Sequence, residues 1–258
     1  RDNTEWHALH DSVRGPTKHI FSNDTRDELT TSTHVTSFDS DGFSHGSGTN
    51  TNNTGIKMVA WAWKESADAG FDIVSYTGNN TVRTISHNLS AVPKLMIFKE
   101  RSEAGNWVVY HGANTSAPAT DLLLLNTDAA TADDDSAWND TAPTSSVFTL
   151  GDGDGGGDNN KNTITMIGYI FAEKQGYSKF GSYTGNSSAT DSPYIYLGFK
   201  PAWFMTKKSN GAKDWNIYDN KRSDSGGGNA NDQYLEANNN AAEQSGQDVD
   251  LLSNGVKI

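Results

Sequence analysis

The feature that most constrains this chain is that it repeats itself. Ser75-Tyr76-Thr77-Gly78-Asn79 returns as Ser182-Tyr183-Thr184-Gly185-Asn186, an offset of 107 (182 − 75). Leu89 and Pro93 return as Leu197 and Pro201, and Lys99, Trp107 and Tyr110 as Lys207, Trp215 and Tyr218, each offset by 108 (197 − 89). Leu125-Asn126 answers Ala237-Asn238 after a small insertion. A partial third copy stands at the start: Ile56-Lys57-Met58-Val59-Ala60-Trp61-Ala62-Trp63-Lys64-Glu65 parallels the stretch from Ile164 to Glu173, and Trp6 with His10 answers Trp107 with His111. Identities kept in order at nearly constant spacing mark a tandem structural unit. The expected organisation is the C-terminal part of a first unit over residues 1–69, a complete second unit over 70–175, and a third over 176–258 that stops before its last strand. A parent chain continuing in both directions is expected.

Inside a unit the period is that of strands. Met58, Ala60 and Ala62 fall on one face and Val59, Trp61 and Trp63 on the other, and Ile167, Tyr169 and Phe171 form the matching face of the second copy. The runs 71–76 and 95–99 are short, β-rich and bounded by Gly, Asn or Pro. Gly105-Asn106 between 95–99 and Trp107 predicts a hairpin. Residues 121–125 form a continuous apolar run after Asp121, as a buried strand does, and a short helix fits within 127–138. About seven to eight strands per unit is the scale of a sandwich. The expected fold is therefore all-β: tandem antiparallel β-sandwich repeats, jelly-roll-like, of about 107 residues each.

Composition supports strands joined by many turns. There are 25 Gly and 6 Pro in a chain rich in Asn, Thr, Ser and Asp, and the 7 Trp, 9 Tyr and 10 Phe sit in apolar runs that can supply a core. A net charge of −12 argues against a nucleic-acid-binding surface, which must neutralise phosphates with Lys and Arg. No apolar stretch reaches the ~20 residues of a membrane-spanning helix. With no Cys, disulfides and thiolate chemistry are excluded.

These motifs carry a resemblance. Tyr-Thr-Gly-Asn, then Ile85-Ser86-His87-Asn88-Leu89, then Trp107-Val108-Val109-Tyr110-His111, is similar to a repeated domain of tail-fibre and virion-appendage proteins of marine bacteriophages. The stretches from Trp138 to Gly151 and from Tyr169 to Lys179 resemble it closely, as do Asp11-Ser12-Val13-Arg14-Gly15 and Ser37-Phe38-Asp39-Ser40-Asp41-Gly42-Phe43. The resemblance covers essentially the whole chain. It implies a virion location, as an extracellular appendage, and names no catalytic residues. It also implies association with copies of itself, as a homotrimer by analogy with phage fibres, and with other virion proteins. The third copy departs from the pattern: Asp219 stands at the place of His111.

Candidate sites follow from chemistry. Asp152, Asp154 and Asp158 lie in a glycine-rich loop where carboxylates two residues apart can wrap Ca²⁺, against the plainer reading of a solvated loop. No other cofactor is expected. Trp107, Tyr110, Trp215 and Tyr218 offer rings for stacking on sugars, although recurrence at one unit position favours core packing. All 7 His lie within the first 111 residues, five of them in one polar segment where they read as surface residues. No Gly-x-Ser-x-Gly elbow stands on a strand-to-helix turn; Gly46-Ser47-Gly48 is a loop. The expected role is a non-enzymatic structural and adhesive protein of a tail fibre or related phage appendage, meeting a host surface glycan or protein receptor. The alternatives are a glycan-binding module of a bacterial adhesin or polysaccharide-active protein and, with least support, a depolymerase.

Overall fold

A strand forms where an apolar pattern also finds neighbours for its main-chain groups, and both conditions shape this molecule. The computed structural model describes residues 3–153, 157–188, 190–222 and 229–258. In the first region β1 (Ala8–Leu9), β2 (Lys18–Phe21) and β3 (Leu29–Thr30) form a small sheet, followed by the hairpin β4 (Val35–Phe38) and β5 (Phe43–His45) and the short helix α1 (Thr49–Asn52). The middle region holds β6 (Phe71–Thr77), β7 (Arg83–Ser86), β8 (Pro93–Glu100), β9 (Trp107–His111), β10 (Asp121–Leu124), β11 (Ala132–Asp133), helix α2 (Asp135–Trp138), β12 (Val147–Leu150) and β13 (Thr165–Ala172). The third has β14 (Tyr194–Tyr196), β15 (Trp203–Thr206), β16 (Asn216–Asp219), β17 (Asn231–Glu236), β18 (Gln244–Leu252) and β19 (Gly255–Lys257). The all-β, sandwich-like antiparallel class read from the sequence is the class observed. Among the described residues, no helix is long and apolar enough to cross a membrane, which leaves crossing by strands unaddressed.

The middle region shows how the layers arise. Its six strands run antiparallel in the order β11-β10-β9-β8-β13-β6, while β7 and β12 pair as a second layer. Alternation along each strand divides the side chains. Phe98, Val108, Tyr110, Leu122 and Ile170 pack toward α2 and β12, with Trp138, Phe148 and Leu150. Trp107, Val109, Leu123, Ile167 and Tyr169 point the other way, where they meet Ile20 of the first region and Trp215 and Ile217 of the third. The sheet is thus buried on both faces, which is why β10 reads as a continuous apolar run rather than an alternating one. The expected hairpin is present, with Lys99 opposite Trp107. Gly168 lies opposite Phe98, and a Cβ there would stand 2.6 Å from the phenyl ring. The third region repeats the plan in part, ordered β14-β19-β18-β17-β16-β15, over a core of Tyr218, Tyr234, Val249, Leu251 and Val256.

One expected strand is missing. Residues 56–65 carry the alternating pattern of β13 but form no strand. The physical reason lies in the neighbours. β13 is held between β8 and β6, whereas among the described residues nothing in the first region offers a flanking strand to 56–65. Pattern alone does not satisfy a backbone.

Candidate functional site

The most organised polar chemistry in the molecule lies where the three regions meet. Strand register sets the equivalences. Leu124 lies opposite Val108 and Phe21 opposite Ala8, so His7 takes the place of Trp107; the hydrogen bonds Ser22 N to His7 O, Leu125 N to Trp107 O and Ala237 N to Trp215 O extend that to Trp215. The sequence pairing of Trp6 with Trp107 is therefore off by one residue. At each place an Asn side chain fastens the strand start: Asn23, Asn126 and Asn238 accept from the main-chain N–H of His7, Trp107 and Trp215 at 3.1, 2.8 and 2.8 Å.

From this frame the three rings reach into neighbouring regions. Trp107 Nε1 donates to the carbonyl of Phe21 at 2.8 Å, and Trp215 Nε1 to that of Leu124 at 2.9 Å. His7 Nε2 lies 2.9 Å from the carbonyl of Glu236; a carbonyl only accepts, so the contact calls for the Nε2–H tautomer. The middle region thus bonds to the first, the third to the middle, and the first to the third. A second set runs the same way two residues earlier: Gly105 N to Thr25 O at 2.8 Å, Lys213 N to Asp128 O at 2.8 Å, and Glu5 N to Asn240 O at 3.2 Å. Lys99 and Lys207 add Nζ bonds to the Thr25 and Asp128 carbonyls, each at 3.1 Å.

A buried ion pair flanks two of these junctions. Asp11 with Arg14 and Asp219 with Arg222 share one geometry, in which the guanidinium also donates to the Leu9 or Ile217 carbonyl. Tyr169 OH donates to Asp11 Oδ2 at 2.7 Å, and its sequence counterpart Trp61 donates from Nε1 to Asp219 Oδ2 at 3.1 Å. In the middle region His111 replaces the acid and Asn114 the arginine.

The four aromatics expected to stack on sugars are all core residues. Trp107 is fully buried, and Tyr110, Trp215 and Tyr218 are 4%, 6% and 2% exposed. Tyr110 packs edge-on against Trp138, and Tyr218 lies tilted against Phe204 and Tyr234. No ring face is left for a ligand, which corrects the expectation of a stacking groove at these positions. Of the calcium candidates, Asp152 is exposed, Asp158 half-buried, and Asp154 lies outside the described residues. Burial raises the Asp158 carboxyl above its usual range against the pull of Lys161. Among the described residues no three His, Asp or Glu side chains are grouped to hold a metal. Two fully buried amides fasten the segment that follows the glycine run: Asn159 donates to Ala137 O at 2.9 Å, and Asn160 to Gly151 O at 2.6 Å and Thr81 O at 2.9 Å.

Two groups of buried titratable residues escaped the sequence reading. His10, His19 and His34 cluster with ring centroids 4.3 to 6.0 Å apart, so these are not surface residues as the polar surroundings suggest. Burial, then the facing His34 and His10, lowers His19 to about 4; burial also lowers His10 to about 4. In the middle region burial raises the Glu100 carboxyl to about 7, and neither carboxyl oxygen has a hydrogen-bond partner. Its neighbour Lys99, fully buried, is lowered to about 8 by burial. The carboxyl lies against Gly105, beside the Gly105 to Thr25 junction.

An open cleft lies apart from these junctions. It is lined by Lys94, Glu173, Lys174, Lys179, Tyr196 and Gly198, with Tyr196 66% exposed at its edge. A family model described as Domain of unknown function (DUF7483) matches residues 1–258. The chain belongs to that family. No curated protein and no solved structure matches it.

Proposed function

We propose that the chain is a structural and adhesive component of a virion appendage, a tail fibre or related attachment structure. In this reading three repeat units close into a ring about a pseudo-three-fold axis. The observation that carries it is the circuit of equivalent bonds from Trp107 to the first region, Trp215 to the middle and His7 to the third. A ring at one equivalent position of each unit, Trp in two and His in the first, joins that unit to the next, as a spacing element requires. A three-fold arrangement, which fibres commonly reach by assembling three chains, is here supplied within one chain. The polar loops around the ring are left to meet a host surface, and repetition multiplies weak contacts.

A second reading, a glycan-binding module, is favoured by the cleft at Tyr196, where an exposed ring stands beside lysines and Glu173. Tyr196→Ala abolishing glycan-array binding would select it over a spacer. The main test is location. Immunogold with antibodies against the purified chain should label fibres or other appendages of phage particles that encode it. Particles without label, or cleavage of polysaccharide by the purified chain, would overturn the proposal.

A further inference from the structure

The cleft between the middle and third regions has one wall whose side chains the fold does not call for. On β14, Ile195 is half-buried opposite Val256, while Tyr194 and Tyr196 on the other face are 47% and 66% exposed. Register identifies their counterparts. Val256 lies opposite Ile195 as Phe148 lies opposite Ile85, and Leu197 N bonds to Asn254 O as His87 N bonds to Ser146 O. Tyr194 and Tyr196 therefore stand where the middle region has Thr84 and Ser86. Those two are exposed as well, in a region where β12 and β13 are both in place, so facing outward belongs to the strand position itself. The middle region meets water there with hydroxyls, and the third with phenol rings.

The opposite wall supplies charge. Lys94 lies at the start of β8, and Lys174 opens a tight turn, its N–H bonded to Ser178 O at 3.3 Å and Oγ at 3.0 Å. Lys179 is paired with Glu173 at 2.8 Å, whereas Lys94 and Lys174 have no carboxylate partner among the described residues. Three lysines and one glutamate thus line this cleft, in a chain whose net charge is −12. Its volume is about 710 Å³, inside the range of about 300–1,000 Å³ that small-molecule sites occupy.

We infer that this cleft binds an acidic saccharide, with a sugar ring on Tyr196 and the sugar's carboxylate or sulfate on Lys94 and Lys174. This rests on the second, glycan-binding reading of the cleft. A pyranose has one face of C–H groups, which covers the apolar face of a tyrosine while the hydroxyls stay wet. A lysine ammonium is a point charge on a flexible stem and answers an anion of either geometry. Two unpaired lysines match one or two negative charges. A continuous polyanion such as a nucleic acid would meet the acidic surface beyond them and be repelled.

Glycan pairs that differ only in charge test this: trigalacturonate with its carboxyl-reduced form, and sulfated with unsulfated galactose oligomers. The parent chain is expected to bind at least one acidic member about ten-fold tighter than its neutral mate, as two exposed ion pairs allow. That advantage should shrink as NaCl rises from about 0.05 to about 0.5 M. Lys94→Gln/Lys174→Gln is expected to remove it. Lys57→Gln/Lys208→Gln, the same charge change on exposed lysines outside the cleft, is expected to keep it. Tyr196→Ala is expected to abolish binding of both members. Melting curves within a few degrees of the parent show that the variants fold. Equal affinity within every pair, an advantage that survives the loss of Lys94 and Lys174, or no binding of any acidic member would overturn the inference. So would a single-stranded oligonucleotide bound more tightly than every glycan. Equal affinity that Tyr196→Ala still abolishes would sink the acidic ligand and leave the glycan reading standing, so the two fail separately.

Discussion

The first and middle regions bring opposite chemistry to equivalent junctions, the middle region to its contact with the first and the first region to its contact with the third. Where the middle region presents Trp107, the first presents His7; where the middle keeps an apolar Leu122, the first keeps His19, one of three clustered imidazoles. The middle region has a two-layer core of its own, while the first leans on its neighbours through Ile20, Leu9 and Trp61. The difference teaches that equivalent positions conserve a hydrogen bond while the apolar area behind it varies. The geometry of the junction is shared, and its strength is not.

Truncating the larger ring should therefore cost most. Trp107→Ala is expected to lower stability by about 3–5 kcal/mol in urea unfolding, through cavity and lost transfer energy, whereas His7→Ala should cost about 1 kcal/mol, the scale of one hydrogen bond. Equal losses would mean that the junctions are energetically alike after all. Next, Tyr169→Phe removes the hydroxyl that donates to buried Asp11 and should cost about 1–3 kcal/mol; Trp61→Phe, on the less buried first-region segment, should cost less. A larger loss from Trp61→Phe would reverse the ranking of the two regions.

The remaining contrasts depend on pH. Glu100 is raised to about 7 from 4.5, so the folded chain keeps a proton that the unfolded chain releases, and stability falls as pH climbs between those values. Glu100→Gln should stabilise by on the order of 2 kcal/mol at pH 8 and leave melting at pH 4 nearly unchanged. His19 works in the other direction. Lowered to about 4 from 6.5, it leaves the unfolded chain to take up the proton first, so stability falls as pH drops from about 6.5 toward 4. His19→Leu, which copies the middle region, should raise stability about 1 kcal/mol more at pH 5 than at pH 8. A matched pair of pH–melting curves that moved in the same direction would dissolve the contrast between acid-sensitive first region and base-sensitive middle.

Much of the fold was legible because a strand's period is local. β6, β8, β9, β10, β12 and β13 lie where alternation and turn residues put them. Residues 56–65 were misread for a reason the sequence cannot carry, since the partners of a strand are elsewhere in the chain. Trp107 and Trp215 were found through repetition, yet a ring that packs and a ring that stacks on a sugar look the same in one dimension. His7 was missed because Trp6, one residue away, is the better chemical match, and only the pairing of Ala8 with Phe21 moves the frame. The buried Asn159 and Asn160 gave no signal at all among so many surface asparagines.

The contact between His7 and the Glu236 carbonyl joins residues 229 apart in sequence. During synthesis at roughly 5–20 residues per second, the first region waits on the order of 10–45 s for that acceptor to be made. The middle region can meanwhile fold over its own core and offer Trp107 to Phe21. The last junction to form is thus the one with the smallest ring, and a ribosome that stalls after the middle region would leave His7 and the face around Ile20 open to the wrong neighbour.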